Sequence, residues 1–286
     1  METLKSYYNL TKPGIVYGNL MYAAAGFLLA AGRHIDLPRL IAVLAGTTLV
    51  IAGACAYNNV LDRNIDSRMK RTKKRAMVTR VISTRSALIY ATVLAAAGFA
   101  VLAVFVSWLV VAVEAVGIIV YVLVYGWAKR NTVHSTVIGS VSGSVPPVAG
   151  YCAAAGQLDA GALWLFLILT FWQMPHFYAI GIYRLKDYKA AGLPILTVSR
   201  GVLAAKKQIL IYMWAFLISV IMLWLTGYAG YSYLIIVGGL SLYWLRLGIK
   251  GFSAPDDDRW AKKVFGYSLI ITMVFSLMLA VNAWLP

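Results

Sequence analysis

The residues best suited to chemistry lie between Asn58 and Arg75. There a long apolar run gives way to Asn58-Asn59-Val60-Leu61-Asp62-Arg63-Asn64-Ile65-Asp66, and then to Lys70, Arg71, Lys73, Lys74 and Arg75. At roughly 100° per residue, Asn59, Asp62 and Asp66 occupy about 60° of one helix face, with Asn58 adjoining. Two carboxylates and amide oxygens on one stripe suit Mg²⁺, which takes one or two protein carboxylates and fills its other positions with water and substrate phosphate oxygens. Asn59, Asp62 and Asp66 are therefore the candidate metal ligands, and the basic run offers charge to the phosphate itself. The competing reading is a solvated helix end that anchors the chain at a membrane surface.

A second cluster runs from Trp172-Gln173-Met174-Pro175-His176 to Tyr183-Arg184-Leu185-Lys186-Asp187-Tyr188. If one helix continues past Pro175, then Trp172, His176, Tyr183 and Asp187 share a stripe descending from mid-membrane to a surface, with a kink at the proline. A histidine in an apolar helix is commonly a hydrogen-bonded packing residue, but ionisable groups in spans are costly and usually face a cavity. His176 is on that ground a candidate binding residue; Trp172 taken alone reads as packing. A third cationic point is Lys129-Arg130-Asn131-Thr132. It either neutralises a diphosphate leaving group or anchors a helix end on the inner face. Glu114, isolated in an apolar run, is given no role.

The elements that position these residues are membrane helices. The 286 residues are 61% hydrophobic, with mean hydropathy +0.77, and apolar stretches repeatedly reach spanning length. The pattern predicts an all-α, polytopic integral membrane protein with nine transmembrane helices, at 15–31, 38–57, 87–106, 108–127, 137–155, 161–182, 208–227, 230–249 and 264–284. Lys12-Pro13-Gly14 leads directly into a full-length span, so no removable signal is expected. With the amino terminus cytoplasmic, all but Arg33 and Arg39 of the 26 lysines and arginines fall inside, as the positive-inside rule requires, and the carboxyl terminus falls on the opposite side. The net charge of +16 thus reads as topology and as contact with anionic lipid or diphosphate, and nucleic acid is not an expected partner. Small residues with Pro146 and Pro147 in the fifth span predict close helix approach and a broken helix. Cys55 and Cys152 fall near opposite faces, so no disulfide is expected.

One internal echo stands out. Ala25-Gly26-Phe27-Leu28-Leu29-Ala30-Ala31-Gly32 closes the first span and Ala149-Gly150-Tyr151-Cys152-Ala153-Ala154-Ala155-Gly156 closes the fifth. Four intervening helices give both copies the same direction, which predicts one transmembrane domain of two parallel four-helix halves, 1–136 and 137–262, plus a ninth helix. A shift of about 125 residues sets Asp62 on Asp187 and Asp66 on Ala191.

The charged segments carry a resemblance. Asn58-Asn59-x-x-Asp62-x-x-x-Asp66 resembles the first aspartate-rich motif of the UbiA superfamily of intramembrane prenyltransferases. Asp62-Arg63-Asn64-Ile65-Asp66-x-x-Met69-x-Arg71-Thr72, Trp172-Gln173-Met174-Pro175-His176 and Asp187-Tyr188-x-x-Ala191-Gly192-x-Pro194 resemble its haem-farnesylating branch, over most of the chain. Three departures exist: Ala191 stands where the wider superfamily has a second acidic residue, Gly14 where arginine is common after Lys12-Pro13, and Ala76 where proline often follows the basic run.

The resemblance implies a UbiA-type bundle that transfers the farnesyl group of farnesyl diphosphate to the 2-vinyl group of haem b, with water, giving haem O and pyrophosphate. It implies a bacterial inner-membrane setting and, as partners, the lipid bilayer and a haem A synthase or terminal oxidase assembly. In that scheme Mg²⁺ is held by Asn59, Asp62 and Asp66, with Asp187 as a possible further ligand. Arg71, Lys73, Lys129 and Arg130 stabilise the leaving diphosphate beside Asn58. Trp172 and His176 face the haem, and Tyr183, Lys186 and Asp187 complete the polar rim. The alternatives are a UbiA-type enzyme acting on a small aromatic or quinone precursor and, from a different class, a transporter. Clustering of the charges at one face favours phosphate chemistry over transport.

Overall fold

The computed structural model describes residues 2–286, and every element among them is helical. In chain order these are α1 (Glu2–Leu10), α2 (Pro13–Ala31), α3 (Leu37–Leu61), α4 (Arg63–Asp66), α5 (Thr84–Phe105), α6 (Trp108–Ile119), a π turn (Val120–Val124), α7 (Tyr125–Asn131), α8 (Ser135–Gly143), α9 (Val145–Ala155), α10 (Ala160–Tyr183), α11 (Leu185–Ala190), α12 (Leu196–Ser199), α13 (Gly201–Leu225), α14 (Tyr231–Ile249) and α15 (Asp257–Val281). Helix starts follow capping chemistry. The side chains of Asp36, Ser83, Ser107, Asp159 and Asp256 accept the orphan N–H groups opening α3, α5, α6, α10 and α15.

Among the described residues, eight segments are individually long and apolar enough to cross a bilayer, counting Trp108–Asn131 as one. The expected fifth span differs: 137–155 is two short helices, α8 and α9, that meet at Ser144. Proline has no N–H, so Pro146 and Pro147 cannot donate back to the preceding turn and instead occupy the first turn of a new helix. Pro175, in contrast, sits inside an unbroken α10.

The core couples α3 to α5, α2 to α9, and α10 to α13 and α15. The α2–α9 crossing brings backbones together: a Cβ on Gly26 would strike the Pro147 carbonyl, and one on Gly150 the Ala23 carbonyl. Both glycines belong to the echoed octets, and both octets end on a glycine at positive φ, Gly32 at 57° and Gly156 at 73°, whose N–H caps the helix. Arg33 Nε donates to Ala283 O (2.9 Å) and Ser232 N to Pro286 O (2.8 Å), which gathers the end of α2, the start of α14 and the carboxyl terminus at one face. The opposite face gathers Lys12, the α3–α4 junction and the end of α7. Cys55 and Cys152 are both buried and free.

Candidate functional site

The α3–α4 junction builds the site. Asp62 N donates to Asn58 O at 2.9 Å and Asp66 N to Asp62 O at 2.8 Å, so helical register carries through the junction and stacks Asn58, Asp62 and Asp66 one turn apart. All three are buried, as is Asn59. The charges on this row are answered by cations from two directions. Lys129, at the end of α7, pairs with Asp62, and Arg130 approaches the same oxygen at 3.9 Å while its guanidinium bonds the Leu61 carbonyl. From the following loop, Arg75 Nη1 meets Asp66 Oδ2 at 2.7 Å, and Thr72 Oγ1 donates to the Asp66 carbonyl at 2.9 Å.

The asparagines are fixed by the α1–α2 joint. Asn59 Nδ2 donates to Leu10 O (2.8 Å) and Cys55 O (3.0 Å), and Lys12 Nζ donates to Asn58 Oδ1 at 2.5 Å. Burial draws the Lys12 pKa below its ordinary value, with the Asp62 carboxylate among the groups opposing that shift. Nothing in local spacing singles out Lys12 or Arg75. Lys12 opens the resembling segment and Arg75 ends the basic run, but only the fold shows which cation meets which acid.

The oxygens available here are the Asp62 and Asp66 carboxylates, with Asn59 Oδ1 on the adjoining residue accepting no bond among the described residues. That set fits Mg²⁺, which binds through few protein ligands. Asp187 stands apart on α11, and no three His, Cys, Asp or Glu side chains gather together among the described residues. Helix α10 ends at Arg184 and Asp187 begins again in α11, so the expected stripe is unbroken only from Trp172 to Tyr183. A small cluster of Met69, Ala191 and Leu193, flanked by Ile65, Tyr188 and Ile195, nonetheless packs the two charged loops together. Tyr188 lies near Arg71, and burial raises its hydroxyl pKa above the ordinary value while the Arg71 charge opposes that shift. Arg71, Lys73, Lys186 and Arg130 are exposed at this face, and Asp187 is half-buried.

The Trp172–His176 turn is a separate, uncharged environment. His176 Nδ1 lies 2.7 Å from Ser268 Oγ on α15, and Trp172 Nε1 donates to the Ser268 carbonyl at 2.8 Å. The imidazole sits between Trp172 and Phe265, with ring centroids at 4.9 and 4.8 Å, and Tyr183 contacts Phe265 beyond it. Gln173 closes the α8–α9 break, with Nε2 near Ser140 O and Ser144 Oγ at 3.1 Å each. Glu114 accepts from Thr47 Oγ1 at 2.7 Å inside the bundle, away from both environments.

Comparison with known proteins bears on this arrangement. Residues 19–278 match the UbiA prenyltransferase family. Over 282 residues, 98% of this chain and 96% of the relative, the chain is 47% identical to protoheme IX farnesyltransferase 2 of Pseudomonas putida strain GB-1. It is 48% identical to protoheme IX farnesyltransferase of Pectobacterium atrosepticum over 99% of this chain and 96% of that one. The fold is similar to a solved structure described for digeranylgeranylglyceryl phosphate synthase in membranes, with TM-score 0.81, 17% identity and 99% of both chains covered. It is also similar to a UbiA homolog from Archaeoglobus fulgidus bound to DMAPP and Mg²⁺, with TM-score 0.75, 17% identity and coverage of 98% of this chain and 100% of that one.

Proposed function

The chain belongs to the UbiA prenyltransferase family, and from that premise we propose that it is a protohaem IX farnesyltransferase, joining the farnesyl group of farnesyl diphosphate to the 2-vinyl group of haem b. The allylic C–O bond breaks and pyrophosphate leaves. A C–C bond forms to the vinyl group, and water supplies the hydroxyl of haem O while losing a proton. The observation that carries this reading is the pairing of a buried two-carboxylate row with a surplus of cations at one membrane face, beneath a near full-length likeness to relatives bearing that name.

The physical account starts from charge. Each carboxylate already faces a cation, so Lys12, Arg71, Lys73 and Arg130 leave the site net positive, which a diphosphate requires. Buried ion pairs are poor sources of stability because desolvation offsets their attraction, so retention of these pairs points to chemistry. Mg²⁺ bound by Asp62, Asp66 and Asn59 would neutralise the diphosphate and raise its quality as a leaving group. Arg71, Lys73, Lys129 and Arg130 stabilise the charge that accumulates as the C–O bond breaks, and Asn58 donates to a diphosphate oxygen. Tyr183, Lys186 and Asp187 form the rim.

On the acceptor side we place Trp172 and His176. Ser268 fixes Nδ1, which directs Nε2 toward haem iron or a propionate. The half-repeat organisation fits the reciprocal α2–α9 glycine contacts. The protein is placed in a bacterial inner membrane with its amino terminus cytoplasmic and its product passing to a haem A synthase or oxidase; side-specific labelling at Lys189 and Pro286 should report opposite faces, and shared sidedness would refute that orientation. The reaction is tested by incubating purified protein with farnesyl diphosphate, haem b and Mg²⁺ and resolving the haems by mass. A farnesylated, hydrated haem is expected. Pyrophosphate release with an aromatic acid in place of haem, and none with haem, would overturn it.

A further inference from the structure

Asn58 and Asn59 are neighbours in the chain, yet the segment joining α1 to α2 grips opposite ends of their amides. Lys12 Nζ donates to Asn58 Oδ1, whereas the Leu10 carbonyl accepts from Asn59 Nδ2, with the Cys55 carbonyl as a second acceptor. The chemistry of the partners leaves no choice of orientation. An ammonium has only donors and a carbonyl only lone pairs. Asn58 is thereby turned so that Nδ2 is left over, and Asn59 so that Oδ1 is left over.

The leftover group on Asn58 is conspicuous. The residue is 2% exposed, and Nδ2 has no hydrogen-bond partner. Buried donors are nearly always satisfied, so an orphan on the row that carries Asp62 and Asp66 marks the place of an acceptor supplied by a ligand. A carboxylate-bound cation cannot fill that role; an anionic oxygen can. The backbone adds a second sign. Lys12 has φ 52° and ψ 66° immediately before Pro13, in the left-handed region that lysine rarely adopts. Such a conformation persists only where its surroundings impose it.

We infer that Lys12 is a positioning residue for the diphosphate: it locks the Asn58 amide with its donor toward a diphosphate oxygen, while the Leu10 carbonyl locks Asn59 with its acceptor toward the cation. The α1–α2 joint thus sorts two chemically identical side chains into one anion contact and one cation contact. This rests on the prenyl diphosphate reading above.

The experiment is a double-mutant cycle on the full chain in lipid nanodiscs, read by calorimetric binding of inorganic pyrophosphate with Mg²⁺. Lys12→Met and Asn58→Leu should each weaken binding about tenfold, and the double variant should be no weaker than either single one, because both remove the same contact. Losses that multiply to about a hundredfold would show that Lys12 meets the anion independently and would overturn the inference. Asn58→Asp keeps the partner of Lys12 and removes only the donor, so it should stay folded yet lose binding; undiminished binding would also refute the proposal. Lys12→Arg retains the donor-only character and should bind within about threefold of wild type. Wild-type protein that fails to bind pyrophosphate defeats the functional reading itself, whereas wild-type binding with a multiplicative cycle defeats only this role for Lys12.

Discussion

The carboxyl-terminal ends of α3 and α10, which a shift of about 125 residues sets side by side in sequence, present opposite chemistry. At the end of α3 the polar groups are ionic: Asp62 faces Lys129 and Arg130, Asp66 faces Arg75, and Lys12 reaches Asn58. Along α10 they are neutral. Trp172 and His176 meet Ser268, and Gln173 meets Ser140 and Ser144, with aromatic rings packed around the imidazole. Asp187, the carboxylate aligned with Asp62, stands in another helix with no ion pair among the described residues. Under the proposed reaction this contrast would divide the work, with polyanion and charge development at α3 and a large apolar acceptor at α10. Ala191, where the wider superfamily has an acid, packs with Met69 and Leu193 between the two charged loops, so the second loop meets the first through apolar contact.

The largest effect should come from the ionic end. Asp62→Ala or Asp66→Ala is expected to lower turnover by about 10²–10³-fold or more, the usual cost of removing one preorganised electrostatic group. Asp187→Ala should cost far less. Pyrophosphate release measured on protein that still elutes as a folded species checks this, and chelation of divalent metal should stop the wild type reversibly. Equal losses at all three aspartates would mean that α3 and α10 share the metal chemistry and would erase the contrast.

The neutral end should separate the two substrates. His176→Ala is expected to raise KM for haem b by about tenfold or shift the haem absorption band, with KM for farnesyl diphosphate nearly unchanged, because the proposed acceptor contact is on α10 and the ionic row on α3 and α4. His134 is the control: it is exposed near the same face and lies outside the Trp-Gln-Met-Pro-His segment. A haem spectrum that answers to His134→Ala and ignores His176→Ala would move the porphyrin elsewhere.

Much of this was readable from sequence for physical reasons. Spanning helices announce themselves because the bilayer sets both their length and their apolarity, and the stripe from Asn58 to Asp66 follows from helical pitch. The breaks were harder. Pro146-Pro147 opens a new helix while Pro175 leaves α10 unbroken, and proline alone looks the same in both places. Pairings were also hidden. Lys129, a candidate diphosphate contact by sequence, also faces Asp62 from α7, and Lys12 is 46 residues from Asn58 in sequence. Such contacts depend on how helices cross, which no local spacing encodes. The end of α10 at Arg184, which removes Asp187 from the stripe, is likewise set by packing of the inner loops.

The smallest effect tests whether the neutral end also carries structure. Gln173 spans the α8–α9 break, where Nε2 approaches Ser140 O and Ser144 Oγ, and Gly143 lies so close that a Cβ there would strike the Gln173 side-chain oxygen Oε1. Within a membrane a broken helix is tolerated only when neighbours satisfy its freed polar groups. Gln173→Leu removes those donors while keeping similar bulk, so it should lower stability by about 1–2 kcal/mol, the range measured for interhelical hydrogen bonds in bilayers and somewhat less than for a fully orphaned buried group. Unfolding in mixed micelles would report the loss, and kcat with both KM values should change by less than about threefold. Gly143→Ala should give a comparable loss by pushing Gln173 aside, and the double variant should be little worse than either, since both disturb one contact. If Gln173→Leu instead leaves stability intact and raises KM for haem, the amide reads the acceptor directly, and the neutral end is a binding surface throughout, with no part of it reserved for holding the break.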